Sequence, residues 1–371
     1  MDPRERFLAV MEYQPVDRVP NWEAGAWEQT RERWKAEEPA TRHFHWRWFW
    51  GEEPLDMDPR EFVRFDNGVY PALDEVTLAE DERTVTFRDS LGRVRRALKE
   101  GMVGQTRMSM DTYLSFPVRT LADWRAMERR FEVSARRLEP NWRAMRVDGW
   151  RRRRVPLIFG ENCSTLGFYW FAREMLGTEG LSYAFYDDPA LVHAIMEHQA
   201  DFLIESARPV LAETSVDYIC LNEDLSYKTG PLLSPKCFST FILPRLRRVI
   251  DFYKSNGVRY ICVDTDGNPE AVIPLMMDVG VDAIWPMERA ADQDPLRLRR
   301  KYGRSLRLWG GVDKRALAEG PAAIDAHLAE LRPLIAEGGF IPTVDHVVPP
   351  DVSWADFRYY MESKARLLRG E

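Results

Sequence analysis

The stretch that decides the fold is Val258-Arg259-Tyr260-Ile261-Cys262-Val263-Asp264-Thr265-Asp266-Gly267. A short, nearly continuous apolar run ends in two acids and a glycine, and a longer amphipathic segment follows. Strands apolar on both faces suit a parallel sheet covered by helices on each side. The same rhythm recurs at Val155–Phe159 (VPLIF), Val216–Leu221 (VDYICL), Val281–Trp285 (VDAIW), Leu306–Trp309 (LRLW) and Phe340–Pro342, with helical patterns between. Arg18–Trp22 (RVPNW) adds a seventh candidate, and an eighth strand is expected between Phe62 and Leu73. No G-x-G-x-x-G turn follows the first strand, so the predicted class is α/β. The expected architecture is a (β/α)8 TIM barrel, one domain over residues 1–371. Residues 84–98 (TVTFRDSLGRVRRAL) read as an inserted hairpin turning at Ser90-Leu91-Gly92. An aromatic-rich segment, HFHWRWFW from His43, precedes it.

Composition narrows the function classes. With 45% hydrophobic and 12% aromatic residues in 371, a large core is affordable and a disordered chain is excluded. A net charge of −7 gives no global positive field for nucleic acid or an anionic membrane. The opening MDPRERFLAVM is too short and too mixed in charge for a signal peptide or a membrane span, so a cytoplasmic protein is expected. Cys163, Cys220, Cys237 and Cys262 form no C-x-x-C and read as reduced thiols, with Cys220 and Cys262 as small buried hydrophobes. The run Arg151–Arg154 reads as a solvated entrance to the next strand.

In barrels the working residues follow the strand C-termini. Here those positions hold Asn162 and Ser164, then Asn222-Glu223-Asp224, then Asp264 to Asn268, then Glu288, and finally Asp345-His346. Asp264 and Asp266 lie two apart and would point the same way, with Gly267 permitting the turn. Crowded carboxylates call for a shared proton, a divalent cation or a cationic partner. Glu223, Asp264, Asp266 and His346 are therefore the candidate catalytic set and the candidate ligands of zinc or another divalent metal. A helix-capping role is the alternative for Asp266. Pro349 and Pro350 stiffen the loop that presents His346, and Asp345 or Asp351 could hold its other nitrogen. The candidate substrate-binding residues are Asn162, Ser164, Tyr169, Asp224, Tyr227, Lys228, Asn268, Glu288 and Asp345. His43 and His45 sit among tryptophans and read more readily as part of an aromatic lid than as a metal site. G-x-S-x-G, H-E-x-x-H and G-x-x-x-x-G-K-[ST] are absent, which argues against serine hydrolase, zincin and P-loop chemistry.

Longer strings carry a family signal. PRERFLAVMEYQPVDRVP, NCSTLGFYWFAREMLGTEGLSYAFYDDPALV, NEDLSYKTGPLLSP, VDTDGNPEAVIPLMMDVGVDAI and GGFIPTVDHVVPPDVSWADFRYYME resemble the uroporphyrinogen decarboxylase superfamily over nearly the whole chain. The resemblance implies a (β/α)8 barrel with its cleft at the strand C-termini. It implies either cofactor-free decarboxylation of a tetrapyrrole or methyl transfer involving a corrinoid protein and zinc. The arginine-rich loop of the decarboxylases is replaced by NWEAGAWEQTRERW. The His-x-Cys-Gly of the thiol-activating methyltransferases is replaced by Asp264-Thr265-Asp266-Gly267, and their later Cys by Gly338-Gly339. What remains is similar to the branch with E-D, D-x-D-G and D-H-x-V-P-P-D-V motifs, associated with demethylation of methoxy or methylamine compounds. That branch implies a small-molecule substrate and a corrinoid partner. A decarboxylase would instead draw on Arg42, Arg47, Lys228 and Arg245, and a non-catalytic tetrapyrrole- or corrinoid-binding module on the HFHWRWFW aromatics. Homodimers are compatible with the resemblance, and Trp354, Tyr359 and Tyr360 on the final helix are interface candidates.

Overall fold

A computed structural model describes residues 1–43, 55–103, 106–107, 110–160 and 165–371. Its central strands are β1 (Glu61–Val63), β2 (Leu157–Phe159), β3 (Tyr218–Asn222), β4 (Tyr260–Asp264), β5 (Ala283–Trp285), β6 (Arg307–Trp309) and β7 (Phe340–Ile341). They pair in that order, each parallel to the next, and helices intervene as in a (β/α)8 barrel. The strand expected between Phe62 and Leu73 is β1, which starts one residue earlier and has left the sheet by Phe65, where an antiparallel bridge to Leu138 takes over.

Residues 19–26 fill the gap between β7 and β1 without forming a ladder. On one side Asn21 O accepts from Asp58 N at 2.9 Å. On the other, Val348 N donates to Gly25 O at 2.9 Å and Trp27 N to Val348 O at 3.1 Å. The strand expected at Arg18–Trp22 is therefore extended chain only. Pro20 has no N–H to offer, and the Asn21 N–H is spent on the Asp58 carboxylate at 2.7 Å. Side chains do the anchoring instead. Glu23 and Lys364 form a fully buried ion pair, Tyr360 donates to the same carboxylate oxygen at 2.5 Å, and Val344 N donates to the other at 2.8 Å. Tyr360 is thus buried within its own chain. Trp354 packs edge-on against Trp34 and Tyr359 donates to Asp325, both half-buried, so of the three aromatics Tyr360 is the one taken wholly by the core.

Strand alternation sorts the core into two layers. Tyr218, Cys220, Tyr260, Cys262, Ala283, Trp309 and Ile341 fill the barrel interior with Phe7 and Trp22 from the N-terminal segment. Ile219, Leu221, Ile261, Val263, Ile284 and Leu308 face the surrounding helices. Cys220, Cys237 and Cys262 are buried and outside any disulfide among the described residues.

The hairpin Thr84–Arg88/Val94–Leu98 turns where Asp89 accepts from Leu91 N and Arg93 N at 3.1 and 2.9 Å. It belongs to a larger four-stranded antiparallel sheet with Val76–Glu80 and Thr112–Ser115. This sheet leaves the barrel after the C-terminal end of β1 and is tied to the helix Phe168–Asp187 by an Arg93–Glu174 ion pair. The run Arg151–Arg154 is not simply solvated. Arg153 pairs with the buried Asp217 at 2.9 Å, and Asp217 also accepts from Leu157 N, so this arginine pins the entries of β2 and β3 together. Among the described residues no helix is long and apolar enough to cross a membrane.

Candidate active site

Continuing the inward phase of β3 and β4 by one more step gives Asn222 and Asp264, which are register partners at the strand ends. Asn222 Nδ2 donates to Asp264 Oδ2 at 3.0 Å. Asp264 is buried, and burial raises its carboxyl well above the usual range; the charges of Asp266 and Asp224 push the same way. Burial of this kind favours the protonated form, which suits a carboxyl to proton donation.

Asp266, two residues on, reaches the partly exposed rim. Its Oδ2 lies 3.3 Å from His346 Nε2, and the His346 ring lies 5.7 Å from that of Trp27. Gly267 makes the turn at φ +73°, and a Cβ there would sit 2.7 Å from Tyr227 O, so the position admits only glycine without rearrangement. Gly267 N donates to Glu288 Oε2 at 3.2 Å and Asn268 N to Tyr227 O at 3.0 Å, locking the loops after β3, β4 and β5 together.

Glu223 is placed elsewhere, one residue out of phase with Asn222. Its buried carboxylate accepts from Phe168 N at 3.0 Å and Tyr169 N at 2.7 Å, so it caps the helix Phe168–Asp187 from outside. Burial pushes it up to about 7, and the two N–H groups oppose that rise. Each oxygen thus holds one backbone N–H, which sets Glu223 apart from Asp264, Asp266 and His346.

Asp345 is likewise structural: its oxygens accept from Arg289 N at 2.8 Å and Lys314 N at 3.1 Å, joining the loops after β5 and β6. Burial pushes its carboxyl up to about 6. Glu288 pairs with Lys314 Nζ at 2.8 Å, and Asn268 Oδ1 accepts from Glu270 N. Tyr227 and Lys228 are exposed. Asp224 is ion-paired with Arg173 and holds a left-handed backbone at φ +37°. The Tyr169 hydroxyl is buried, and burial pushes it up to about 12. Asn162, Ser164 and Cys163 lie outside the described residues, as do His45, Arg47 and the tryptophans beside them.

Below this rim a cavity opens on the barrel axis, walled by Trp22, Tyr218, Trp285 and Trp309, with Arg60 and Cys220. Trp285, on its wall, is the register partner of Asp264 on the neighbouring strand. The guanidinium of Arg60 lies 4.7 Å from the centre of the Trp22 ring. Residues 113–366 match the family profile described as uroporphyrinogen decarboxylase (URO-D). The chain belongs to that family.

Among solved structures, a methyltransferase from Methanosarcina mazei is similar over 99% of both chains at 14% identity, with a TM-score of 0.63. A B12-independent methionine synthase from Shewanella sp. W3-18-1 aligns over 59% of this chain and 64% of its own, at 15% identity and a TM-score of 0.38. At such identities the first likeness speaks for the fold. A search of curated proteins found no match.

Within this URO-D barrel the expected metal centre does not assemble. Among the described residues no three His, Cys, Asp or Glu side chains lie together in a way that could hold a metal ion. Glu223 is taken by a helix end and Asp264 by Asn222, which leaves Asp266 and His346 as a pair. The described residues therefore do not fit a resident zinc. The strand-end reading named Asn222 without giving it a role, and missed Arg60 and the aromatic cavity wall. The role of Asn222 was legible from the alternation Tyr218, Cys220, Asn222; Trp22 closes a run expected to be a strand that forms no ladder, and Arg60 lies just before β1, outside its paired residues.

Proposed function

We propose that this URO-D family member is a methyltransferase. It removes a methyl group from the oxygen or nitrogen of a small molecule and passes it to a corrinoid carried by a partner protein. The observation that carries this reading is the buried Asp264 at the strand ends, bonded to the Asn222 amide and pushed well above the usual carboxylate range by burial. Breaking a methyl–heteroatom bond leaves the electron pair on oxygen or nitrogen, a poor leaving group unless it is protonated in the same step. Asp264 supplies that proton and becomes a carboxylate, held by the Asn222 amide. The Asp266–His346 pair at the rim, 3.3 Å apart, returns a proton from solvent. A reduced corrinoid would supply the electron pair that takes the methyl group.

The alternative reaction, decarboxylation, draws on cations at the mouth. Of the residues expected to serve it, Arg245 is bound to Glu197 at 2.8 Å between two outer helices, and Arg42 and Lys228 are exposed. Arg60 is the observation that favours this second reading.

The test is to incubate the protein with chemically reduced cobalamin and a panel of methoxybenzenes and methylamines, following methylcobalamin by its absorbance. Asp264→Asn is expected to lower the rate by about 10²-fold or more, the usual worth of a general acid. Release of CO₂ from a carboxylated tetrapyrrole, with methyl transfer from no donor, would refute the reading.

A further inference from the structure

We infer that one face of the helix Glu28–Glu37 positions His346: its side chains hold the loop from Val348 to Trp354, and that hold sets the imidazole against Asp266. The inference rests on the proposed function only for the step that His346 serves; the placement of the ring is read without it.

Three observations carry it. The first is a row of hydrogen bonds. Thr30, Trp34 and Glu37, about one turn apart, share a face of the helix. Thr30 Oγ1 donates to Val348 O at 2.8 Å, Arg33 Nη1 to Pro350 O at 2.8 Å and Trp34 Nε1 to Val352 O at 3.0 Å. Glu37 then accepts from Trp354 N at 2.7 Å. Helix and loop thus run together, every second loop residue meeting the next side chain along the helix. The loop has little of its own to bond with. Pro349 and Pro350 have no N–H, and Val352 N is engaged by Pro349 O at 3.2 Å, closing a turn with Pro350 at its second position. Thr30, Trp34, Val348 and Val352 are buried, where a polar group that loses its partner is costly.

The second observation is that His346 lies between two fixed points. On one side Asp345 N donates to Val312 O at 2.8 Å, and the Asp345 carboxylate accepts from Arg289 N and Lys314 N. On the other, Val348 N donates to Gly25 O at 2.9 Å, and Val348 O accepts from Trp27 N at 3.1 Å as well as from Thr30. The imidazole itself is partly exposed and meets Asp266 at 3.3 Å and the Trp27 ring at 5.7 Å. Asp345, expected to hold its other nitrogen, is engaged by backbone. The chain on either side therefore sets where the ring points.

The third is that the helix is itself backed. The Trp34 indole stacks on the Phe357 ring at 4.6 Å and 23°. Phe357 belongs to the helix Trp354–Leu368, which also carries Tyr360 and Lys364, the partners of Glu23 at the barrel seam. The hold on His346 is thus continuous with the contacts that fasten residues 19–26. A contact of 3.3 Å tolerates little displacement, and a shift of ~1 Å in the loop would break it.

The experiment uses full-length protein with histidines labelled for nitrogen NMR, and His346→Gln identifies the His346 ring signals. Thr30→Val keeps the shape and removes one donor; Trp34→Phe keeps an aromatic ring and removes another. Each is expected to move the His346 signals while those of His327, on another helix, stay in place, and Thr30→Ser should return them. With reduced cobalamin and an active methyl donor, both variants should lower kcat about tenfold or more, the scale on which a misplacement of ~1 Å acts. In a His346→Gln background they should add no further loss, whereas a merely structural effect would add in full. Unmoved His346 signals, an unchanged kcat or fully additive losses overturn the inference. Moved signals in a protein that transfers methyl from no donor would refute the proposed reaction and leave the positioning standing.

Discussion

Replacing Lys364 by methionine is expected to destabilise the barrel at its seam. Lys364 and Glu23 are both fully buried, and the ammonium also donates to Trp22 O at 2.9 Å and Pro342 O at 3.5 Å. Burial pulls the Lys364 ammonium below its ordinary value, and the Glu23 carboxylate opposes that pull. The methionine would leave Glu23 as a buried carboxylate held only by Tyr360 and Val344 N, and would strip Trp22 O of its donor. Breaking a buried pair from one side costs about 3–5 kcal/mol. Set against a total stability of roughly 5–15 kcal/mol, that is a large share. The loss falls on residues 19–26, which lack a ladder and depend on these side chains to stay between β7 and β1. Urea unfolding followed by tryptophan fluorescence measures it. Glu23→Gln added to Lys364→Met should recover much of the loss, since the uncompensated charge is then gone. A Lys364→Met protein within about 1 kcal/mol of wild type, or a double variant no more stable than the single one, would refute the claim that this pair closes the barrel.

Other outcomes follow from the same geometry. Glu223 is pushed up from the ordinary 4.5 to about 7, so its contribution to stability is fully present below about pH 4.5 and is lost as pH rises through 7; the gap converts to roughly 3 kcal/mol at about 1.4 kcal/mol per pH unit. Denaturation midpoints at pH 5 and pH 8 should differ in that direction, and Glu223→Gln should flatten the difference. Gly167→Ala would set a Cβ 2.5 Å from the Glu223 carboxylate and 2.7 Å from Asn222 O, so a loss of about 1–3 kcal/mol and a lower Tm are expected. An unchanged Tm would mean that this helix entry yields freely. His346→Gln should leave stability within about 1 kcal/mol of wild type, because the pair with Asp266 is partly exposed. It should nevertheless lower the rate of methyl transfer, and an unchanged rate would remove His346 from proton return.

Most of the barrel was legible because a strand buried on both faces must be short and mostly apolar, and β2 to β7 obey that rule apart from Arg307 at the entry of β6 and the polar residues Asn222 and Asp264 that end β3 and β4. The polar residue ending each run marks the mouth for the same reason. The Asp264 acid and its neighbour Asp266 could be placed there from alternation alone, and the same alternation, carried one step past Cys220, would have separated inward Asn222 from outward Glu223. What periodicity cannot contain is which of several strand-end acids finds a partner. Glu223, Asp345 and Asp264 look alike in the sequence. Yet the first meets a helix N-terminus, the second two backbone N–H groups, and the third, buried, a side-chain amide.

The sequence by itself determined the class of fold, the end of the barrel where chemistry sits and the acidic character of that end, since each depends on local patterns a few residues long. The tertiary structure alone decided how the barrel closes and what lies on its axis. The Glu23–Lys364 pair spans 341 residues, and Trp22, Arg60, Trp285 and Trp309 reach one cavity from four separate segments. Those juxtapositions follow from strand order and barrel stagger, which no local pattern encodes. The charge state of each acid follows in turn from how dry its surroundings are and which donors face it.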